Sequence, residues 1–596
     1  MLAVFKLCWI IVLFCFLVSF FLYAINRSAS SGEVFLQISY YSIATQDFAW
    51  LATALALLPA LWTLSSRSDW PAQIQSGAGA VLRSKFGRFL AGSRPRALIS
   101  ACVLCLAVTG AGTFLVYHDF ALSMDEFMFR FQTEILKQGH LVAPVPEDWF
   151  PLSHALRPGF LIVNQEYHFW APGYRPGAAL IYAVFDMVGL GTLMNPLLSA
   201  GCVWLVAALA AREWPNQPQA AFWAVGLLAV SPQFLITGMT PYTMTAHLFA
   251  SLLWLYFFTS GRLAGHLAAI GVGCIALVLH HIHVHLFFAL PFLLRLLFIE
   301  RRFVLSLAYA FAYGLSCLAA VFWMDIAVWL QGLEPVAAGG AAAEIDGGVG
   351  FIRQALRSGW EMHGWEDLLF WAVNISRFVA WQNLAVLPLA VIALRRWRHM
   401  PPNIRLLAWS IATSLIPYIL LMPTQGHGWG YRYLHPVLGN VALIAAFGWL
   451  SARTSLPLEG WQRLRRFTGA LALVTLCAGL PLRAIQVEAF VRPFHTAAKY
   501  LASRAEELVF LDAAGIWYGH DLVRNDPLMR NRPKILALDM IDEAKLARLC
   551  AEHSYVTVYA ETLRQFGIKR LAGDETERQT RRRDLKRKLA NAGCED

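Results

Sequence analysis

The chain has 596 residues, of which 58% are hydrophobic and 15% charged, with a mean hydropathy of +0.51. That is more apolar surface than one soluble core can bury, so composition excludes a soluble enzyme and points to a polytopic α-helical membrane protein. The net charge of +11 does not argue for nucleic acid, because the basic residues sit in short clusters between apolar runs, as cytoplasmic loops require.

The first apolar run, 3–24, exceeds the roughly 7–15-residue core of a signal peptide and reads as a first span. A second span at 47–64 is followed by Arg67, Arg83, Lys85, Arg88, Arg94 and Arg96 against Asp69, which places that segment on the cytoplasmic side. The third span, 97–117, therefore exits on the outer face and carries Asp125 and Glu126 there. Segment 177–191 is apolar but short of the roughly twenty residues that a crossing needs, and it contains Asp186. If it crossed, the clusters at 300–302, 395–398 and 463–466 would all lie outside. Lying in the interface, it leaves all three inside, and that is the reading taken. Further spans are expected at 193–211, 219–237, 244–260, 266–281, 285–299, 303–330, 381–396, 404–422, 434–451 and 466–485. This gives about thirteen crossings, N-terminus inside and C-terminus outside.

Under this topology the polar islands 238–243, 280–285 and 425–433 and a long loop, 331–380, emerge on the face of Asp125. The membrane part is 1–485, with a large first outer loop at 118–192. Residues 486–596 carry strand, strand, helix and strand patterns at 508–511, 534–538, 543–552 and 555–559, a small outer α/β domain. Its charged tail, 578–588, reads as a solvated helix end or a contact with anionic lipid. Eight of the ten cysteines lie in apolar stretches, and the Cys102-x-x-Cys105 spacing there reads as packing. Cys550 and Cys594 are the two that could meet an oxidising compartment, and the sequence does not say whether they are joined.

The run Asp125-Glu126-Phe127-Met128-Phe129-Arg130-Phe131-Gln132-Thr133-Glu134, with Gly139-His140-Leu141 after it, resembles the first outer loop of bacterial C-superfamily (GT-C) membrane glycosyltransferases related to protein O-mannosyltransferases and aminoarabinose transferases. Tyr174-Arg175-Pro176-Gly177 is similar to their Tyr-Pro-Pro-Gly element, with Asn195-Pro196 at a similar remove. Tyr431-Arg432-Tyr433-Leu434-His435-Pro436 resembles their Arg-Tyr-Leu-x-Pro element, and Arg524-Asn525-Asp526-Pro527 is similar to a segment of some members. Ala289-Leu290-Pro291-Phe292 resembles a helix that relatives precede with Arg-Pro, where this chain has His281-Ile282. Arg175 likewise replaces a proline. The resemblance implies a GT-C-like fold that moves a sugar, hexose or pentose, from polyprenyl phosphate to an acceptor hydroxyl, at the outer, periplasmic face of the bacterial inner (cytoplasmic) membrane. The partners would be a lipid-linked sugar donor and a lipid, glycan or protein acceptor of the cell envelope.

Such a displacement needs a base at the acceptor hydroxyl and positive charge at the departing phosphate. Asp125 is the expected base, with a pKa raised by the membrane, and Glu126 the alternative; adjacent side chains diverge, so one of the two faces substrate. The competing reading makes Asp125 a cap for the helix starting near Phe127. Arg432 is the expected phosphate ligand, against a snorkelling arginine, with Arg175 and Lys137 as second choices. Tyr174 and Tyr433 join the binding candidates, Tyr174 also shaping the turn before the short helix. His281 and His283 are candidates for hydrogen bonds to phosphate or sugar. His281 and His285 have a metal-compatible spacing, but no third ligand can be assigned. No cofactor is expected beyond the lipid-linked co-substrate; a divalent ion is compatible with such donors but has no ligand set in the sequence. Trp149, Trp170 and Trp429 are candidates for stacking on a sugar. A lipid-linked polysaccharide ligase or polymerase and a secondary transporter are the competing functions; the early acidic pair argues against the first and the lack of internal repeats against the second.

Overall fold

The computed structural model describes residues 1–28, 41–66, 94–336, 365–420, 425–568 and 575–594. The basic residues Arg67, Arg83, Lys85 and Arg88 and the glycine-rich part of loop 331–380 lie outside the described residues. Among the described residues, eight helices are long and apolar enough to cross a membrane, and five shorter apolar helices accompany them.

In chain order the principal helices are α1 (Leu2–Ser28), α2 (Phe48–Leu64), α3 (Arg94–Leu115), α4 (Met124–Lys137), α5 (Gly177–Met187), α6 (Met194–Glu213), α7 (Pro218–Ala229), α8 (Thr243–Phe258), α9 (Leu263–Val278), α10 (Ile282–Leu294), α11 (Phe303–Val321), α12 (Trp365–Ala380), α13 (Val386–Arg395), α14 (Pro402–Leu420), α15 (Leu438–Ser455), α16 (Leu458–Val474) and α17 (Leu480–Ala502). Most are apolar on every side, so one face packs inward while the other is left for lipid. On α11, Val304, Leu307, Phe311 and Leu315 are exposed, whereas α15 is buried along nearly its whole length at the centre of the bundle. Small residues on α15, including Ala442, Ala445 and Ala446, let α7, α13 and α14 close on it.

Polar contacts sort to the two ends of the bundle as the charge pattern predicts. At one end Arg295 donates to Asn403 (3.2 Å), Asn403 to Glu213 (2.9 Å), Arg302 meets His266 (3.1 Å), and Arg466 donates to the Ser65 carbonyl (3.1 Å). At the other end gather Asp125, Tyr174, Tyr242, His280 and Arg432. The 11-residue α5 is about 16 Å long, far short of a hydrocarbon core of about 30 Å, and it lies against α4 through a 2.7 Å Lys137–Asp186 ion pair. Its start is so close to the end of α9 that a Cβ on Gly177 would stand 2.5 Å from the Val278 carbonyl oxygen, which is why glycine is required there.

Three expectations change. The crossing expected at 303–330 divides at Phe322, and the second piece, Trp323–Gln331, turns to the outer loop, where the Gln331 side chain accepts from the Leu141 and Val142 amides. The crossing expected at 381–396 is preceded by a further helix, described as Trp365–Ala380. There α12, in place of the last part of loop 331–380, packs along α1 and is followed by a break at 381–385 and then α13. Irregular backbone at this depth survives because protein satisfies it. Arg483 donates to the Ala380 carbonyl (3.0 Å), the Gln233 amide to the Trp381 carbonyl (3.1 Å), and Leu384 donates to Thr475 Oγ1 (3.1 Å). The last span does not stop near 485: α16, a π-turn at Thr475–Gly479 and α17 form one helical column, Leu458–Ala502, so the expected boundary at 486 falls inside a helix.

The outer layer holds two small sheets. In the first outer loop β1 (Ala143–Pro144), β2 (Leu161–Asn164) and β3 (Phe169–Pro172) pair antiparallel in the order β1-β3-β2. In the C-terminal part β4 (Leu508–Leu511), β5 (Lys534–Ala537) and β6 (Tyr555–Val558) are parallel in the order β5-β4-β6, at the strand positions read from the sequence. The charged tail helix docks rather than floating free: Leu585 and Leu589 join the core, Arg581 pairs with Asp512 (2.9 Å), and a disulfide joins Cys594 to Cys550. Both sheets share that core, with Met128, Phe131 and Trp170 packed in the same cluster as Phe510, Leu536 and Leu538. The Trp170 indole also donates to the Pro527 carbonyl (2.7 Å).

Candidate active site

The first turn of α4 places Asp125 and Glu126 on different neighbours. Glu126 Oε2 accepts from the Ser123 amide at 2.8 Å, the acidic half of a capping box, and Oε1 accepts from the Thr240 hydroxyl. Glu126 is thus buried in structure, and the capping role that competed for Asp125 belongs to its neighbour. Asp125 is left for other work. Its Oδ1 accepts from the Tyr174 hydroxyl, and its Oδ2 accepts from Arg432 Nη1 (2.6 Å) and from the Tyr242 hydroxyl (3.0 Å).

Four separate parts of the chain meet at this carboxylate. Tyr174 comes from the turn that Gly177 anchors. Tyr242 comes from the island before α8, which Asn195 holds by donating to the Thr240 and Tyr242 carbonyls (2.5 and 2.8 Å). Arg432 comes from the loop before α15, where its amide donates to Gln425 Oε1 (2.9 Å) and Gln425 Nε2 returns to the Gly430 carbonyl (2.9 Å). Gly430 has φ +67°, and a Cβ there would lie 2.6 Å from Gln233 Oε1, so this turn needs glycine twice over.

With side chains 13% and 12% exposed, Asp125 and Arg432 form an ion pair largely cut off from solvent. Burial raises the Asp125 pKa, but the Arg432 guanidinium and the Tyr174 hydroxyl outweigh it and hold the carboxyl below the usual aspartate range. This reverses the expectation of a raised value. At Glu126, burial outweighs the hydrogen bonds from Thr240 and Ser123 and holds the carboxyl above the usual range. Arg432 is not used up by the pair: its Nε is buried without a hydrogen-bond partner among the described residues, and Nη2 reaches Tyr433 Oη only at 3.4 Å. Tyr433 lies under the guanidinium at 5.0 Å and stacks on Tyr418 at 4.4 Å.

An arc of rings completes the wall. Tyr174 meets His280 (4.2 Å), His280 meets His281 (4.0 Å), His281 stacks on His283 (5.2 Å), and His283 meets Tyr418 (5.4 Å). Both nitrogens of His280 and Nε2 of His283 are buried without hydrogen-bond partners among the described residues. His285 points elsewhere and bonds Tyr313 (2.9 Å), so His281 and His285 are not a ligand pair. Among the described residues no three His, Cys, Asp or Glu side chains come together as a metal site.

The second-choice cations make other contacts. Lys137 is twelve residues on along α4, roughly 18 Å away, and pairs with Glu134 and Asp186. Arg175 donates to the Ala320 carbonyl (3.1 Å), and its charge falls on the histidines. Trp170 and Trp429 are fully buried, and Trp149 lies under Lys534 (4.8 Å), away from the site. Sequence reasoning passed over Tyr242, although it sits in an island already placed on this face. It also passed over Asp47, Arg377 and Arg483, a buried network behind the loop before α15. There Asp47 pairs with Arg377 (3.0 Å) and Arg483 (3.4 Å), and Arg377 Nη2 donates to the Gly428 carbonyl (2.7 Å). An ionisable side chain at the edge of a span, as Asp47 is, was the available signal.

No protein-family model matches the chain, and no curated protein does. Among solved structures it is similar to ArnT from Cupriavidus metallidurans bound to undecaprenyl phosphate, at 12% identity over 73% of this chain and 86% of that one, with a TM-score of 0.45. It is also similar to the archaeal oligosaccharyltransferase AglB from Archaeoglobus fulgidus, in complex with an inhibitory peptide and a dolichol-phosphate, at 12% identity over 71% and 59% of the two chains, with a TM-score of 0.40. At these scores neither likeness carries an argument, and the functional reading rests on the geometry of Asp125 and its neighbours.

Proposed function

We propose that this protein is a membrane glycosyltransferase that moves a sugar from a polyprenyl-phosphate donor to a hydroxyl of a cell-envelope acceptor at the outer face of the cytoplasmic membrane. The observation that carries the reading is the Asp125–Arg432 pair, buried at the end of the bundle where the polar islands meet, with guanidinium donors still unspent. In the reaction the acceptor oxygen bonds to the anomeric carbon as the bond from that carbon to the phosphate oxygen breaks. The hydroxyl proton goes to Asp125, and the electron pair leaves on the phosphate, facing Arg432. Arg432 is suited to the phosphate by its fork and permanent charge. Its two tasks are linked, because a phosphate that draws Arg432 away from Asp125 raises the proton affinity of the carboxylate when a base is needed.

The reading is tested with purified protein in lipid nanodiscs and a defined polyprenyl-phosphate sugar. Asp125→Asn keeps size and hydrogen-bonding capacity but removes the base, so kcat should fall by about 100-fold or more with the fold retained. Near-normal turnover in that variant would reduce Asp125 to a structural ion-pair partner.

A further inference from the structure

Between β4 and β5 the C-terminal unit sends a turn, 516–524, toward the same centre. Tyr518 has φ +50°, a left-handed conformation that a bulky side chain adopts only when its surroundings force it, and such strain concentrates at functional sites. Its ring sits 5.9 Å from His427, in the loop that presents Arg432, and 6.1 Å from Phe494. The hydroxyl is buried and has no hydrogen-bond partner among the described residues. Arg432 and Arg377 lie near it, but burial and the Asp521 and Asp125 carboxylates prevail and hold the hydroxyl well above the ordinary tyrosine range, so it stays protonated as a hydrogen-bond donor. Three residues on, Asp521 sits in the same turn, its carbonyl accepting from Arg524 Nε (2.7 Å), and its carboxylate faces the amide of Met124, the residue before Asp125. Arg524 fixes this approach by donating to the Ala121 and Leu122 carbonyls (2.6 and 3.1 Å), with its guanidinium over Phe120 (4.0 Å) and Phe127 (4.7 Å).

We infer that the C-terminal unit completes the reaction centre, with the Tyr518 hydroxyl a ligand for the donor's phosphate and Asp521 a second carboxylate whose ionisation tunes Asp125. The inference rests on the proposed transfer reaction. The charged groups that face Asp521 are Arg524 from its own turn and Asp125 and Glu126 from α4. Burial and the two carboxylates prevail over Arg524 and push the Asp521 pKa up to about 7. Asp521 is therefore neutral on the acid side of that value. When it ionises it sets a like charge near Asp125, which raises the affinity of Asp125 for the acceptor's proton. Asp521 makes and breaks no bond itself and is a positioning residue.

Two variants of the full-length protein in nanodiscs test this. Tyr518→Phe should bind undecaprenyl phosphate, offered without a sugar, roughly tenfold more weakly, while its melting temperature holds or rises, because deleting an unsatisfied buried hydroxyl costs nothing in folding. In wild type, kcat should rise with pH through about 7, and in Asp521→Asn that limb should vanish. Wild-type lipid-phosphate affinity in Tyr518→Phe, or an unchanged limb in Asp521→Asn, overturns the inference. Full turnover in Asp125→Asn, alongside weakened lipid-phosphate binding in Tyr518→Phe, would sink the catalytic reading and leave the Tyr518 assignment standing.

Discussion

Arg432 already pairs with Asp125 at 2.6 Å, and this decides how its substitutions should behave in the proposed reaction. Replacing it with alanine removes a charge-assisted contact worth about 1.5–3 kcal/mol, so kcat/KM should fall roughly tenfold to a few hundredfold. The same change frees Asp125, whose pKa then climbs back toward the raised value that burial alone would give. The acid limb of kcat/KM should accordingly shift to higher pH in Arg432→Ala, and less in Arg432→Lys, which keeps charge but loses the fork. Steady-state assays across pH on both variants check this; full activity in the lysine variant with an unmoved limb would mark Arg432 as a snorkelling side chain. Asp125 and Arg432 stood out in the sequence because each lies in a short motif, and the fold brings the two side chains together at 2.6 Å. The direction of the Asp125 pKa was not readable, because the partner that sets it lies 307 positions away in sequence. Glu126 shows the converse: its Ser-x-x-Glu spacing held the capping signal, yet adjacency to Asp125 drew it into the catalytic set.

At the scale of elements, the candidate site depends on a loop braced by a buried network in the bundle. The loop before α15 is held by Arg377 through the Gly428 carbonyl, and Arg377 in turn by Asp47, with both charged side chains 2% exposed or less. Buried pairs of this kind are weak sources of net stability, but removing one partner typically costs about 3–5 kcal/mol. Arg377→Ala should therefore lower the melting temperature and, by loosening the loop, raise KM for the donor more than it lowers kcat. Asp47→Asn leaves Arg377 and Arg483 facing each other and should do the same. Unaltered donor KM in both variants would confine the network to stability. From the sequence, Arg377 looked like part of an outer loop because the break at 381–385 interrupts the hydrophobic pattern. Two helices around a break read as loop followed by span, and only the packing of α12 along α1 reveals the further helix.

Over the whole molecule, the polytopic helical architecture was the most legible property, since so apolar a composition leaves little freedom. The strands β4, β5 and β6 and the helix at Glu543–Glu552 were equally legible from local pattern. The union of the two outer units was not, because the shared core joins residues hundreds of positions apart and no local signal marks it. Nor was the run of α16 into α17, where hydropathy falls away while the backbone carries on as a helix. The 45-residue column Leu458–Ala502 is about 68 Å long, more than twice the hydrocarbon thickness, and it delivers the chain directly to β4. A helix transmits rotation as well as length: each added residue turns the downstream chain by about 100° and lifts it about 1.5 Å. The C-terminal unit thus has an angular phase relative to the bundle, and Tyr518 and Asp521 are useful at one setting of it. One alanine inserted after Glu488 should swing them off axis, while four bring them back to within about 40° of the original heading at the cost of about 6 Å in height. Transfer activity should therefore be lower with one inserted residue than with four. Equal losses would mean that the column buckles and that the core shared with the first outer loop alone sets the orientation.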